Sequence, residues 1–99
     1  MIAIHTGNNG VIRPDDLRST LRLLADRQRV VLLTDRVPMD WQAPNNATIK
    51  GVARDFGNVV VLDWYARSDG DRSWFYGDGL HLRPAGATNY AKLIAQAAG

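Results

Sequence analysis

The chain reads as an α/β fold, a parallel sheet with helices packed on both of its faces. Three observations lead there. The runs Ile2-Ala3-Ile4, Val30-Val31-Leu32-Leu33 and Val59-Val60-Val61-Leu62 are apolar at every position, as strands buried between two layers must be. The stretches between them repeat their apolar residues at helical spacing. Strand and helix then alternate as β-α-β-α-β-loop-α, the order that gives right-handed parallel crossovers.

Each element has a local reason. The first strand, Met1-Ile2-Ala3-Ile4-His5, runs into Thr6-Gly7-Asn8-Asn9-Gly10, a loop rich in residues that accept positive φ. Pro14 opens the first helix, where a missing N–H costs nothing, and Asp15 and Asp16 suit the positive end of its dipole. Leu17, Leu21 and Leu24 form one stripe, while Arg18 and Arg22 face outward. After the second strand, residues 34–41 form a loop. A second helix is expected from Asn45 or Asn46, turning Ile49, Val52, Ala53 and Phe56 inward and stopping at Gly57. The third strand is expected to be buried like the second. A long loop through Ser68 and Ser73 follows, and the last helix starts near Pro84 with Tyr90, Leu93, Ile94 and Ala97 on one stripe.

Composition narrows the function. Ninety-nine residues make at most one domain, able to bury roughly two thirds of its unfolded surface. The net charge is +2, and the arginines are scattered among acids without a basic run, which argues against a nucleic-acid partner. The absence of cysteine excludes disulfides, thiolate catalysis and zinc–thiolate sites. No apolar run reaches the roughly 20 residues a bilayer span requires, so the chain carries no membrane segment.

In parallel sheets, ligands bind beyond the carboxyl ends of the strands. The loops at 7–10, 34–41 and 63–81 all open on that edge, so Asn8, Asn9, Asp78 and His81 are expected in one cleft. Asp78 and His81 stand three residues apart. A carboxylate that accepts the Nδ1 proton of an imidazole fixes its tautomer and leaves Nε2 as a base. Gly77 and Gly79 allow the tight loop that such a pair needs. A surface loop with a helix-capping acid is the plainer reading. An asparagine amide beside a held imidazole is most of an acyl-transfer site, since the amide can stabilise an oxyanion and the imidazole can shuttle a proton. A nucleophile is missing.

Other readings fail on single residues. Gly7-x-x-Gly10 lacks the third glycine and the lysine of phosphate loops. Asp69-Gly70-Asp71 has Leu80 where a calcium loop needs its last ligand. His5, Asp78 and His81 lack a further strong ligand for a metal, and no cofactor is called for. Trp41, Trp64, Tyr65 and Trp74 sit at the strand ends, where aromatics cover the core or stack on a sugar.

Taken together, Gly7-Asn8-Asn9-Gly10 after a strand ending in His5, Val37-Pro38 with Trp41 and Asn46, Val61-Leu62-Asp63-Trp64-Tyr65, Trp74-Phe75, Asp78-Gly79-Leu80-His81-Leu82 and Pro84-Ala85-Gly86-Ala87 resemble the C-terminal part of an SGNH (GDSL-type) hydrolase domain. The resemblance is to the branch related to bacterial O-acyltransferases that modify cell-wall and surface polysaccharides. It implies a flavodoxin-like three-layer α/β/α fold and a serine esterase or O-acyltransferase acting on O-acyl, chiefly O-acetyl, esters. It also implies His81 as general base and acid, Asp78 as its orienting partner, and Asn9 as side-chain oxyanion donor, with Gly7 and Asn8 in the substrate loop and no cofactor. The implied partner is an ester or acylated glycan. The location it implies is outside the cytoplasm if a membrane acyltransferase domain is attached, and the cytoplasm otherwise.

Two departures matter. Gly10 stands where many of these hydrolases have aspartate, and Asn8 where the acyltransferase branch often has threonine. The Gly-Asp-Ser block and the second, oxyanion-glycine block have no counterpart, and Ser19, Ser68 and Ser73 do not stand in a strand-to-helix elbow. Residues 1–99 are therefore expected to be a partial domain, inactive alone. The bare edge of the first strand is expected to pair with the missing N-terminal half or with a second copy. The alternative is a degenerate, non-catalytic module that binds a glycan or a partner protein.

Overall fold

In the computed structural model, which describes residues 1–98, three parallel strands form one sheet in the order β1-β2-β3. They are β1 (Ile2–Ile4), β2 (Val30–Leu33) and β3 (Val59–Leu62). Ile2, Ala3 and Ile4 pair with Val30, Val31 and Leu32, and Val30 to Leu33 pair with Val59 to Leu62. Helices α1 (Pro14–Leu23), α2 (Gln42–Ala53), α3 (Trp64–Arg67) and α4 (Pro84–Ala98) complete it, with a single 3₁₀ turn at Arg72–Trp74.

Alternation along the strands divides the core in two. Val30 and Leu32 face Leu17 and Leu21 of α1 and Ile49, Val52 and Ala53 of α2. Leu33 faces Trp64, Trp74 and Phe75, with Tyr90, Leu93 and Ile94 of α4 packed against them. Helices thus cover both faces of a parallel sheet, and the fold is α/β.

Three local expectations are corrected. Helix α2 begins at Gln42, ahead of Asn45 and Asn46. Pro44 is tolerated in its first turn, where an N–H would lack an intrahelical partner. The two asparagines lie inside the helix, buried, and spend their amides on neighbouring loops. The helix also stops at Ala53, so Phe56 packs from the following turn. Strand β3 is only half-buried, because it is an edge strand and α4 leaves Val60 43% exposed. Finally, α3 follows β3 at once: Asp63 caps it by accepting from Ala66 N at 3.2 Å.

Gly86 sets where α4 starts. A Cβ there would stand 2.2 Å from the Trp74 carbonyl oxygen, so only glycine lets the first turn lie on the 3₁₀ turn. Arg83 N donates to the same oxygen at 2.8 Å.

Candidate active site

Residues 75–82 form a closed loop at the start of α4. An isolated antiparallel bridge joins Phe75 to Leu82, and Tyr76 N donates to His81 O at 2.9 Å. Within the loop, Asp78 Oδ1 accepts from the backbone N–H groups of Leu80 (2.9 Å) and His81 (3.0 Å). Its Oδ2 lies 2.5 Å from His81 Nδ1. The His81 imidazole, followed by the two N–H donors, holds the Asp78 carboxyl down to about 2, so it is ionised at neutral pH. An ionised carboxylate accepts the Nδ1 proton, which leaves the lone pair on Nε2. That nitrogen has no protein partner among the described residues, and the imidazole is 75% exposed.

The loop after β1 is held from below by one side chain. Asn45, fully buried, donates from Nδ2 to Gly7 O (3.2 Å) and Gly10 O (2.8 Å) and accepts from Ile12 N at 2.8 Å. Gly7 has φ +104°, and a Cβ there would fall 2.2 Å from Asp35 Oδ2, so no other residue fits. Asn9 is exposed, while Asn8 is half-buried and its Oδ1 has no hydrogen-bond partner. Gly7, Asn8 and Asn9 line a hollow of about 610 Å³ with His5. Gly77 and Gly79, flanking Asp78, line another of about 910 Å³. The structure brings Asp78 and His81 into direct contact. It gives Asn8 and Asn9 no hydrogen bond to either of them, and neither hollow is lined by both Asn9 and His81.

A second acid–imidazole couple lies at the strand ends, unforeseen from the sequence. His5 Nε2 donates to Asp35 Oδ1 at 3.0 Å, and His5 Nδ1 accepts from the Tyr90 hydroxyl at 2.7 Å. Asp35 is fully buried, and its backbone is bracketed by the Asn46 amide (2.7 and 3.0 Å). Burial, and then the Asp35 charge, pushes the Tyr90 hydroxyl up from its usual range. The available signal was a polar Thr34-Asp35 directly after a wholly apolar central strand, where a buried acid needs a partner from a neighbouring strand end. Nearby, Asp63 accepts from Thr34 Oγ1 (2.8 Å) and pairs with Lys50 (3.2 Å). Burial pushes its carboxyl up, but Thr34, the Ala66 N–H and Lys50 outweigh that and leave it lowered.

No family model matches the chain. Over 93 residues it is 37% identical to the peptidoglycan O-acetyltransferase OatA of Listeria monocytogenes, covering 94% of this chain and 15% of that protein. It is 32% identical over 93 residues to the O-acetyltransferase OatA of Staphylococcus aureus, with the same two coverages of 94% and 15%. The chain is homologous to a segment of O-acetyltransferases. It spans about 15% of the length of these relatives.

Acyl transfer through an acyl-enzyme needs a nucleophile beside a base, and among the described residues no serine is hydrogen-bonded to His81. Ser19 lies exposed within α1. Ser68 is buried and donates to Trp64 O at 2.7 Å, and Ser73 donates to Asp71 Oδ1 at 2.6 Å. None is hydrogen-bonded to His81 among the described residues. Of the strand-end aromatics, Trp64 and Trp74 belong to the core, stacked at 5.9 Å, while Tyr65 is partly exposed beneath the Arg36 guanidinium.

Proposed function

We propose that the chain carries the base-and-acid part of an SGNH-type serine site that transfers or hydrolyses O-acetyl groups on a cell-wall glycan. The observation that carries this reading is the 2.5 Å contact between Asp78 and His81 with Nε2 open to solvent. In this mechanism a serine from outside residues 1–99 attacks the ester carbonyl, and His81 Nε2 takes the hydroxyl proton. Asp78 holds Nδ1–H and stabilises the imidazolium. The tetrahedral oxyanion is met by the Asn9 amide, on a loop whose backbone Gly7 keeps low. As the intermediate collapses to acyl-serine, the leaving alkoxide takes the proton from Nε2. A glycan hydroxyl or water then attacks the acyl-serine with the same histidine as base, which releases product and restores the serine.

That the relatives are O-acetyltransferases supports the reaction class, and that the Listeria monocytogenes relative is a peptidoglycan O-acetyltransferase supports the substrate class. The outer edge of β1, which among the described residues pairs only with β2, is where the complementary strand or a second copy would add. A non-catalytic glycan- or protein-binding module is the second reading, favoured by the lack of a serine at His81.

The test compares this chain with a version extended upstream to include a serine-bearing strand. The extended protein is expected to be labelled by a serine-reactive phosphonate and to turn over an activated acetyl ester. The 99-residue chain should do neither, and it should self-associate in light scattering while the extended protein does not. Turnover by the short chain that His81→Ala abolishes, or labelling of the extended protein that His81→Ala leaves unchanged, would overturn the proposal.

A further inference from the structure

Among the described residues, no backbone-to-backbone hydrogen bond holds the segment 7–12. Gly7 to Gly10 make a turn with Asn8 and Asn9 at its tip, yet the bond that often closes such a turn, from Gly10 N to Gly7 O, is not made. A side chain of α2 closes it instead. Asn45 Nδ2 donates to both carbonyls, Gly7 O at 3.2 Å and Gly10 O at 2.8 Å, while Asn45 Oδ1 accepts from Ile12 N at 2.8 Å. Resting on the reading of Asn9 as the oxyanion donor, we propose that Asn45 is a positioning residue for acyl transfer, setting the Asn9 amide where the oxyanion forms.

The two N–H bonds of one amide group each take one carbonyl, so both ends of the turn are tied to a single nitrogen. The tip then has one way to point: Asn8 is half-buried and Asn9 exposed, as a donor to a bound ester must be. Gly7 supplies the clearance, since a Cβ there would stand 2.9 Å from Asn45 Nδ2. The anchor itself is fixed. Asn45 lies fully buried within α2, where its N–H donates to Trp41 O at 2.9 Å, and Ile49, Val52 and Ala53 of the same helix belong to the core.

The next residue repeats the device on the neighbouring loop. Asn46 donates to Asp35 O at 3.0 Å and accepts from Asp35 N at 2.7 Å, so two consecutive side chains of one helix set the loops after β1 and β2. Only Asn45 reaches the turn that carries Asn9. A donor on a turn flanked by two glycines, with no closing bond of its own, would sample many orientations. Stabilising an oxyanion demands one, held within a fraction of an ångström before the charge develops. Because that contact is made in the transition state and not to the ground-state ester, losing its placement lowers kcat and leaves KM.

A double-substitution cycle in the upstream-extended protein tests this. Asn45→Asp keeps the shape of the side chain and its acceptor for Ile12 N, but turns an oxygen toward the two carbonyls. It should lower kcat on an activated acetyl ester by about 10- to 10²-fold, as misplacement of a reacting group does, with KM changed by less than about twofold. Asn9→Ala should lower kcat by about 10²- to 10³-fold, the usual cost of one oxyanion donor. Placed in the Asn9→Ala background, Asn45→Asp should change kcat by less than about twofold, because the group it positions is gone. A merely structural Asn45 would act on the folded fraction and cost the same in both backgrounds. That result, or an unchanged kcat in Asn45→Asp, would overturn this inference alone; full turnover in Asn9→Ala would overturn the reading of Asn9 and this inference with it. Backbone amide relaxation in the unaltered 99-residue chain decides the case in which Asn45→Asp does not fold. Order parameters of about 0.85 are expected at Asn8 and Asn9, as in rigid backbone, and values below about 0.6 would overturn the inference whatever Asn9 does.

Discussion

The molecule contains two acid–imidazole couples, and their surroundings give them opposite properties. His5 and Asp35 are 30 residues apart in sequence and meet between the ends of β1 and β2. Both ring nitrogens of His5 are occupied, one by Asp35 and the other by Tyr90 of α4, so the imidazole ties three elements together and has nothing left to offer a substrate. Asp78 and His81 meet within one loop, tie nothing else together, and leave Nε2 open. The same two functional groups make a structural clamp in one place and, in the proposed function, a base in the other. What decides is the partner of the second nitrogen and whether solvent reaches it.

The exposed couple is expected to matter most to turnover. In the upstream-extended protein, His81→Ala should lower turnover by about 10²- to 10⁴-fold, the usual worth of a positioned general base. The melting temperature should stay within a degree or two, since this side chain is mostly exposed. A comparable loss of turnover from His5→Ala without a loss of stability would mean that the two couples had been assigned the wrong way round.

Next comes the clamp. His5→Ala leaves buried Asp35 Oδ1 and the Tyr90 hydroxyl without partners, and should cost about 1–3 kcal/mol in denaturant unfolding. Gly7→Ala strikes the same carboxylate from the other side, where a methyl group would sit 2.2 Å from Oδ2 in a backbone of positive φ. A cost of about 1–3 kcal/mol is expected there too. If either substitution left stability unchanged, the network beneath the opening loop would not be holding it.

The contrast also separates what could be read from the chain from what could not. Asp78 and His81 are three residues apart, and the strands declare themselves by runs of valine and leucine, so both were visible in local pattern. Pro14 and Pro84 marked their helices because proline fits a first turn. The His5–Asp35–Tyr90 clamp joins positions 30 and 85 residues apart, and no spacing rule points across such gaps. Asn45 and Asn46 misled because asparagine is a strong N-cap residue, whereas here its amide serves loop carbonyls and N–H groups that only the fold brings near. Val60 sits in a run that reads like β2, and its exposure depends on how far α4 reaches over the sheet.

The two couples also differ in a way that acid alone can reveal. The Asp78 carboxyl lies at about 2 in the folded chain against an ordinary 3.8, chiefly because of His81 and then the two backbone donors. A carboxyl lowered by folding contributes stability that is complete above its unfolded value and is lost as pH falls through the folded one. The loop should therefore keep its form on acidification until pH approaches 2, and a carboxyl-carbon NMR titration of Asp78 should show its midpoint there. In His81→Gln the first cause is gone but the Leu80 and residue-81 N–H donors remain, so the midpoint should rise only part of the way back. A midpoint near the ordinary value in the unaltered chain would mean that the carboxylate does not hold the imidazole, and the exposed couple would lose the feature that distinguishes it from any acid and histidine on a surface.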